Sequence, residues 1–314
     1  MPGNQEISNQ EIVNLRPQRN TLNPEIPYHF LHETEPDATG ALKKVNTIFL
    51  TGKECSFKCL MCDLWKNTIT TPTSKGAIVK QIDYATTRLP NAEIIKLYNN
   101  GNFFDPKAVP PEDHEQIAAR LVSYQKVIVE NHPTLTNKNC LEFKSKLTTQ
   151  LEIAMGLETI HPDVLPKLNK QLTPNDFKKA AQFLRANQID VRAFILLNPP
   201  YLTDQKENIE WVIKTVKFAF ESGTQCCSII ATRSGNGIME TLEKQGQYTP
   251  ATLDALEQVF ETALKLKQGR IFVDTWDIRF LSKCPHCFEA RKERLEAMNL
   301  HQEIYPPITC PYHD

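Results

Sequence analysis

From residue 45 onward, short apolar runs alternate with longer stretches whose apolar positions recur at helical spacing. The runs at 46–51, 93–99, 126–130, 150–155, 190–197 and 225–231 read as strands. Between them the spacing predicts helices over 75–88, 111–123, 174–187, 204–221 and 250–267, several opened by Thr, Asp or Pro, the residues that start helices. Strand and helix in alternation are the signature of a parallel sheet with crossover helices. Six such units with right-handed crossovers curl into an incomplete (β/α)6 barrel, an α/β fold. Residues 1–44 lack this pattern, being rich in Asn, Gln, Glu and Pro, and read as a polar N-terminal arm with at most local structure.

Length and composition narrow the class. The 314 residues suit one large or two modest domains with a sizeable core. A formal net charge of -1 removes the global basic field that advertises nonspecific nucleic-acid binding. The first twenty residues are polar and no apolar run approaches the roughly 18 residues of a membrane span. The expectation is therefore a cytoplasmic protein with no membrane partner. Nine cysteines without a secretion signal are better read as thiols or metal ligands than as a disulfide framework.

Three of them carry the first chemical clue. Cys55, Cys59 and Cys62 stand at C-x3-C-x2-C spacing, directly after the first apolar run. Iron-sulfur clusters are held by cysteine thiolates, and a compact set of three leaves one iron open to another ligand. A zinc site would need a distant fourth donor; a disulfide with a spare thiol, or three buried structural cysteines, are the plainer alternatives. The spacing, with Met61 before the third cysteine, resembles the signature of the radical S-adenosylmethionine (SAM) superfamily. That resemblance implies a 4Fe-4S cluster on Cys55, Cys59 and Cys62, SAM chelated at the open iron, and an electron donor. Reductive cleavage of SAM then gives a 5'-deoxyadenosyl radical that abstracts hydrogen from a substrate.

In parallel α/β sheets, ligands gather at the carboxyl ends of the strands. After the second run comes Asn99-Asn100-Gly101, in the place of the family's glycine-rich methionine-binding turn, with Asn where the first glycine usually stands. Glu130 closes the third run, where the resemblance implies hydrogen bonds to ribose hydroxyls. Gly156 and Glu158 follow the fourth, the glycine permitting close backbone approach and the acid anchoring the nucleoside side of the pocket or its own loop. Tyr201 follows a double proline after the fifth run, and Arg233 lies in a glycine-containing loop after the sixth, a fixed charge for a carboxylate or phosphate.

The order of the blocks GKECSFKCLMCDLW, KLYNNGNFFD, VIVENHP and GLETIHPDVLPKLNK is similar to the radical SAM subunit of archaeosine synthase and, more distantly, to elongator-type proteins. That resemblance implies a tRNA or modified-nucleoside substrate and a partner subunit. A radical SAM enzyme acting on a small metabolite is the runner-up, and a noncatalytic iron-sulfur or metal-binding regulatory protein is the reading from another class.

The last segment changes character. Cys284-Pro285-His286-Cys287, a charged helical stretch, then Cys310-Pro311-Tyr312-His313 place a C-x2-C pair before a C-x2-H pair. Cys284, Cys287, Cys310 and His313 suit one tetrahedral zinc or a second iron-sulfur cluster, with His286 as a substitute fourth ligand and unligated thiols as the bland alternative. The expected division is an arm at 1–44, a radical SAM core at 45–275 and a Cys/His extension at 276–314.

Overall fold

A computed structural model describes residues 7–312. Its strands are β1 (His29–Pro36), β2 (Leu42–Phe49), β3 (Ile94–Tyr98), β4 (Lys126–Asn131), β5 (Gln150–Glu158), β6 (Asp190–Leu197), β7 (Cys226–Ala231) and β8 (Arg270–Val273). They form one sheet in chain order, β1 antiparallel to β2 and every later pair parallel. The helices are α1 (Asn9–Asn14), α2 (Ala77–Thr86), α3 (His114–Arg120), α4 (Lys138–Lys146), α5 (Pro174–Ala186), α6 (Gln205–Glu221), α7 (Ile238–Lys244), α8 (Leu253–Leu264) and α9 (Phe288–His301). β2 to β7 are the six strands that the apolar runs predict, so the incomplete (β/α)6 barrel is present and is extended by one strand at each edge.

Local sequence accounts for where the helices begin. Thr173 caps α5 by accepting from Asp176 N, Asp176 reaches back to Thr173 N, and Pro174 takes the first helical position. Asp204 and Thr252 cap α6 and α8 in the same sense. Along the strands, alternate side chains divide between two faces. Ile95, Leu97, Val127, Val129, Ile153, Met155, Val191 and Ile195 pack with the helices into the main core. Burying a side chain of this size stabilises by about 1.5–3 kcal/mol.

The other face points into the barrel and is mixed. Val45, Ile94, Ile128 and Ala154 form an inner apolar cluster against Tyr98 and Phe194. Beside it lies a buried network of charges. Arg192 of β6 pairs with Glu152 of β5 at 2.8 Å and with Glu35 of β1 at 3.0 Å. Lys96 of β3 binds Glu33 at 2.9 Å and also Glu35. Lys126 and Arg270 add charge at Glu152, 3.2 Å and 3.7 Å away. β1 and β6 are five places apart in the strand order, so a direct Glu35–Arg192 contact requires the sheet to curl until its opposite sides meet. Arg270 of β8 tightens the same end by donating to the Pro36 carbonyl at 3.0 Å.

β1 corrects the reading of the first 44 residues as having at most local structure: the stretch supplies an eight-residue strand. The far edge is also covered. Asn299 of α9 and Gln302, which ends that helix, each donate to and accept from one residue of β8, Val273 and Ile271, at 2.8–2.9 Å. Two amide side chains thus stand in for a ninth strand and blunt the exposed edge.

Candidate cluster and cofactor site

The loop after β2 carries Cys55, Cys59 and Cys62 and is pinned from several directions. Leu60 N donates to Leu168 O at 2.9 Å. Asn169 Nδ2 reaches Lys58 O at 2.7 Å, and Asn236 Nδ2 reaches Leu60 O at 2.8 Å and Cys62 O at 3.2 Å. Phe57 stacks on His132, ring centroids 3.9 Å apart. His132 Nε2 lies 2.9 Å from Lys170 O; a carbonyl only accepts, so the proton sits on Nε2. Burial, helped by the Lys170 charge, pushes the His132 pKa down to about 3. Burial pushes the thiols the other way, Cys59 up to about 11 and Cys62 to about 12, with Cys55 also raised.

The turn after β3 lies directly against this loop. A Cβ on Gly101 would stand 3.2 Å from Cys55 Cβ, a tight contact that glycine avoids where turn and loop meet. Asn102 couples the turn to the thiols: Nδ2 lies 3.1 Å from Cys55 Sγ, while Oδ1 accepts from His132 N at 2.6 Å. Asn100 adopts a left-handed φ of 56°, a conformation Asn tolerates better than most residues, and its side chain accepts from Tyr28 Oη at 2.8 Å. Asn99 is fully buried, and neither its amide oxygen nor its nitrogen has a hydrogen-bond partner among the described residues. Such an orphaned amide is what a bound polar group would satisfy.

Glu130 sits beneath the turn. Its Oε1 accepts from Asn99 N at 2.5 Å and Gly101 N at 3.1 Å. Burial pushes its pKa up to about 7, against the pull of those N–H groups. Glu158, with φ of 64°, pairs with Lys170 at 2.6 Å, both nearly buried. A Cβ on Gly156 would meet Glu158 Oε1 at 2.4 Å and Lys170 Nζ at 2.5 Å, so the glycine makes room for the ion pair. Burial opposes the Lys170 charge, but Glu158 and the thiols Cys59 and Cys55 raise its pKa. The pair therefore sets an ammonium near Cys59 and Cys55.

The structure thus brings Cys55, Cys59 and Cys62 together with Asn99, Asn100, Gly101, Glu130, Gly156 and Glu158 at the carboxyl ends of β2 to β5. Tyr201 lies nearby, packed with Met61. Arg233 is already engaged, binding Asp274 at 2.8 Å and the Trp276 carbonyl at 2.7 Å, so it is not a spare charge. Lys170, Asn102 and Asn236 are parts of the site that the sequence reading missed. Lys170 and Asn102 lie inside quoted blocks, but only folding shows which side chain of each block turns inward.

The N-terminal segment also reaches the loop. Arg16 and Arg19 bind Glu54, the residue before Cys55, at 2.9 Å and 2.5 Å, and Lys58 joins them at 2.6 Å. Both arginines lie over the Trp65 ring. Ile12 is buried with Leu60, Ile238 and Met239. Burial raises the Glu54 pKa, but Lys58, Arg16 and Arg19 outweigh it and hold the carboxyl down to about 2.

At the other end of the chain, Cys284, Cys287 and Cys310 converge, their sulfurs all within 4.8 Å of one another. Backbone N–H groups of Cys287 and His286 hold the Cys284 thiol down to about 6. His286 stacks on Tyr312, centroids 4.1 Å apart. His313 lies outside the described residues.

The curled, incomplete barrel is a fold shared with a solved structure. No protein-family model matches the chain. It is 25% identical over 287 residues to an uncharacterized protein of Methanocaldococcus jannaschii, covering 84% of this chain and 78% of that protein. It is also 25% identical over 213 residues to the archaeosine synthase subunit beta of Methanosarcina acetivorans, covering 65% of this chain and 61% of that subunit. Among solved structures, Methanocaldococcus infernus Elp3 lacking residues 1–46 aligns with a TM-score of 0.52 at 15% identity, over 71% of this chain and 59% of that one. The match therefore spans only about three fifths of the Methanosarcina subunit and of Elp3.

Proposed function

We propose that this chain is a radical SAM enzyme that modifies a nucleoside of tRNA together with a partner subunit. The observation that carries the first half is the contact between the Cys55 loop and the Asn99–Asn102 turn at the carboxyl face of the half-barrel. Cys55, Cys59 and Cys62 hold a 4Fe-4S cluster in this reading, and the Asn99-Asn100-Gly101 backbone with the unpartnered Asn99 amide receives the amino-acid end of SAM. Glu130 serves the ribose while fixing the turn, and Gly156 and the Glu158–Lys170 pair shape the nucleoside side. When bound, cluster and SAM supply the electron and the radical; the protein binds, orients and shields them. Lys170 offsets negative charge at the thiolates. The resemblance to archaeosine synthase supports tRNA as substrate and a partner subunit.

Anaerobic reconstitution should give about four irons per chain at this loop. Replacing Cys55, Cys59 and Cys62 together by Ala should remove them, together with 5'-deoxyadenosine formation from SAM under strong reductant. Iron content and spectra unchanged in that variant would refute the cluster assignment. Mass spectrometry of nucleosides from cellular tRNA, with and without the gene, tests the substrate. Unaltered tRNA beside an altered small metabolite would select the metabolite reading.

A further inference from the structure

We infer that Cys284, Cys287 and Cys310 bind a single zinc ion, separate from the cluster site, whose role is to fasten the C-terminal segment to α9. The inference does not depend on the radical SAM reading.

Geometry favours one ion over a second cluster. Cys284 Sγ and Cys310 Sγ are 3.8 Å apart. Tetrahedral zinc with Zn–S bonds of ~2.3 Å places its sulfurs about 3.8 Å from one another. A disulfide would need about 2.05 Å. Thiolates of a 4Fe-4S cluster each bind a different iron and stand further apart than ligands sharing one ion. Among the described residues this is the one trio of such donors gathered within 4.8 Å; Cys55, Cys59 and Cys62 are more widely spread, as ligands to three separate irons would be.

The local chain is built for the task. The Cys284-Pro285-His286-Cys287 turn directs two backbone N–H groups at Cys284 Sγ, which favours thiolate. Cys287 is also the residue that opens α9. From there the chain runs down α9, turns at Gln302 with φ of 55°, and returns so that Cys310 meets the turn it left. Arg294 guides the first part of the return by donating to the Tyr305 and Pro306 carbonyls. Beyond that point residues 307–311 line a cavity of about 670 Å³ together with Asp254, Glu257 and Arg291. Ile308 and Tyr312 are exposed. Cys310 is buried where it meets Cys284, the position a shared ion would hold.

Binding replaces thiol protons with zinc and involves no electron transfer. The test uses full-length protein carrying Ala at Cys55, Cys59 and Cys62, purified anaerobically without chelator, so that only this site contributes metal. Elemental analysis should find about one zinc per chain, falling to background when Cys310→Ser is added. Iron with acid-labile sulfide in place of zinc would overturn the inference, and so would the absence of both metals. Should the Cys310 variant fail to fold, Co(II) titration of chelator-treated protein decides without it. Saturation at one equivalent with intense thiolate charge-transfer bands is the expected result; octahedral, weakly absorbing Co(II) would refute it.

Discussion

Glu130 has two duties that its protonation state ties together. Its carboxylate fixes the Asn99–Gly101 turn, and in the proposed reading it also accepts from the SAM ribose. Both require the ionised form, and burial has lifted its pKa to about 7. SAM affinity of the reconstituted protein should therefore rise from pH 6 to pH 8, in the direction of carboxylate formation. Glu130→Gln should flatten that profile and weaken binding by roughly ten- to a hundredfold, the worth of a hydrogen bond to a charged acceptor. Calorimetric titration across that range checks it, and a variant with the parental profile would remove Glu130 from the ribose role. Chemistry at this scale was partly legible in the chain. Cys55, Cys59 and Cys62 are readable as one group because all three lie on a single short loop. Lys170 was not, because its meaning comes from facing Glu158 and Cys59, contacts no local pattern announces.

Elements were legible where a single face decides them and obscure where distant charges do. β2 to β7 announce themselves as apolar runs, and α5, α6 and α8 by their caps. β1 does not, because Glu33 and Glu35 make it look solvated; they are satisfied by Lys96 and Arg192, which lie 61 to 157 residues away in the chain. β8 is only four residues long, too short for periodicity to register. The N-terminal segment was misjudged for the same reason: Arg16 and Arg19 read as surface charge until Glu54 is placed beneath them. That placement makes the segment a cover for the cysteine loop. Replacing both arginines by Ala should cost about 1–2 kcal/mol of local stability, so the loop opens roughly five- to thirtyfold more often. Loss of the iron-sulfur absorbance in air should accelerate accordingly, while anaerobic iron content stays near four per chain. Equal air sensitivity of variant and parent would show that the cover does not protect.

Across the whole molecule, the interior charges couple β1, β3, β4, β5, β6 and β8. Burial raises the Glu152 pKa, but Arg192, Lys126 and Arg270 outweigh it and hold the carboxyl down to about 2. A carboxyl depressed in the folded state stabilises fully above its ordinary value of 4.5, and that contribution is lost as pH falls toward 2. Thermal unfolding should therefore show an acid limb between those values. Glu152→Gln should shrink that limb and cost about 3–5 kcal/mol at neutral pH, because Arg192 is left buried with one partner fewer. Chemical denaturation at pH 7 measures the second effect, and a neutral result there would mean the network rearranges around the amide.

The same charges govern how anything reaches the proposed reaction centre. Salt-bridged side chains gather at the amino-terminal end of the half-barrel, so the proposed reading has a cup entered from the carboxyl-terminal rim. In that reading a reactant enters through the rim, as far as the depth admits. A large molecule would stay outside and lower one unit into the cup, much as a nucleotide is swung out of its stack for modification. A cup of this kind selects by what a substrate can extend, and is indifferent to how large the rest of it is.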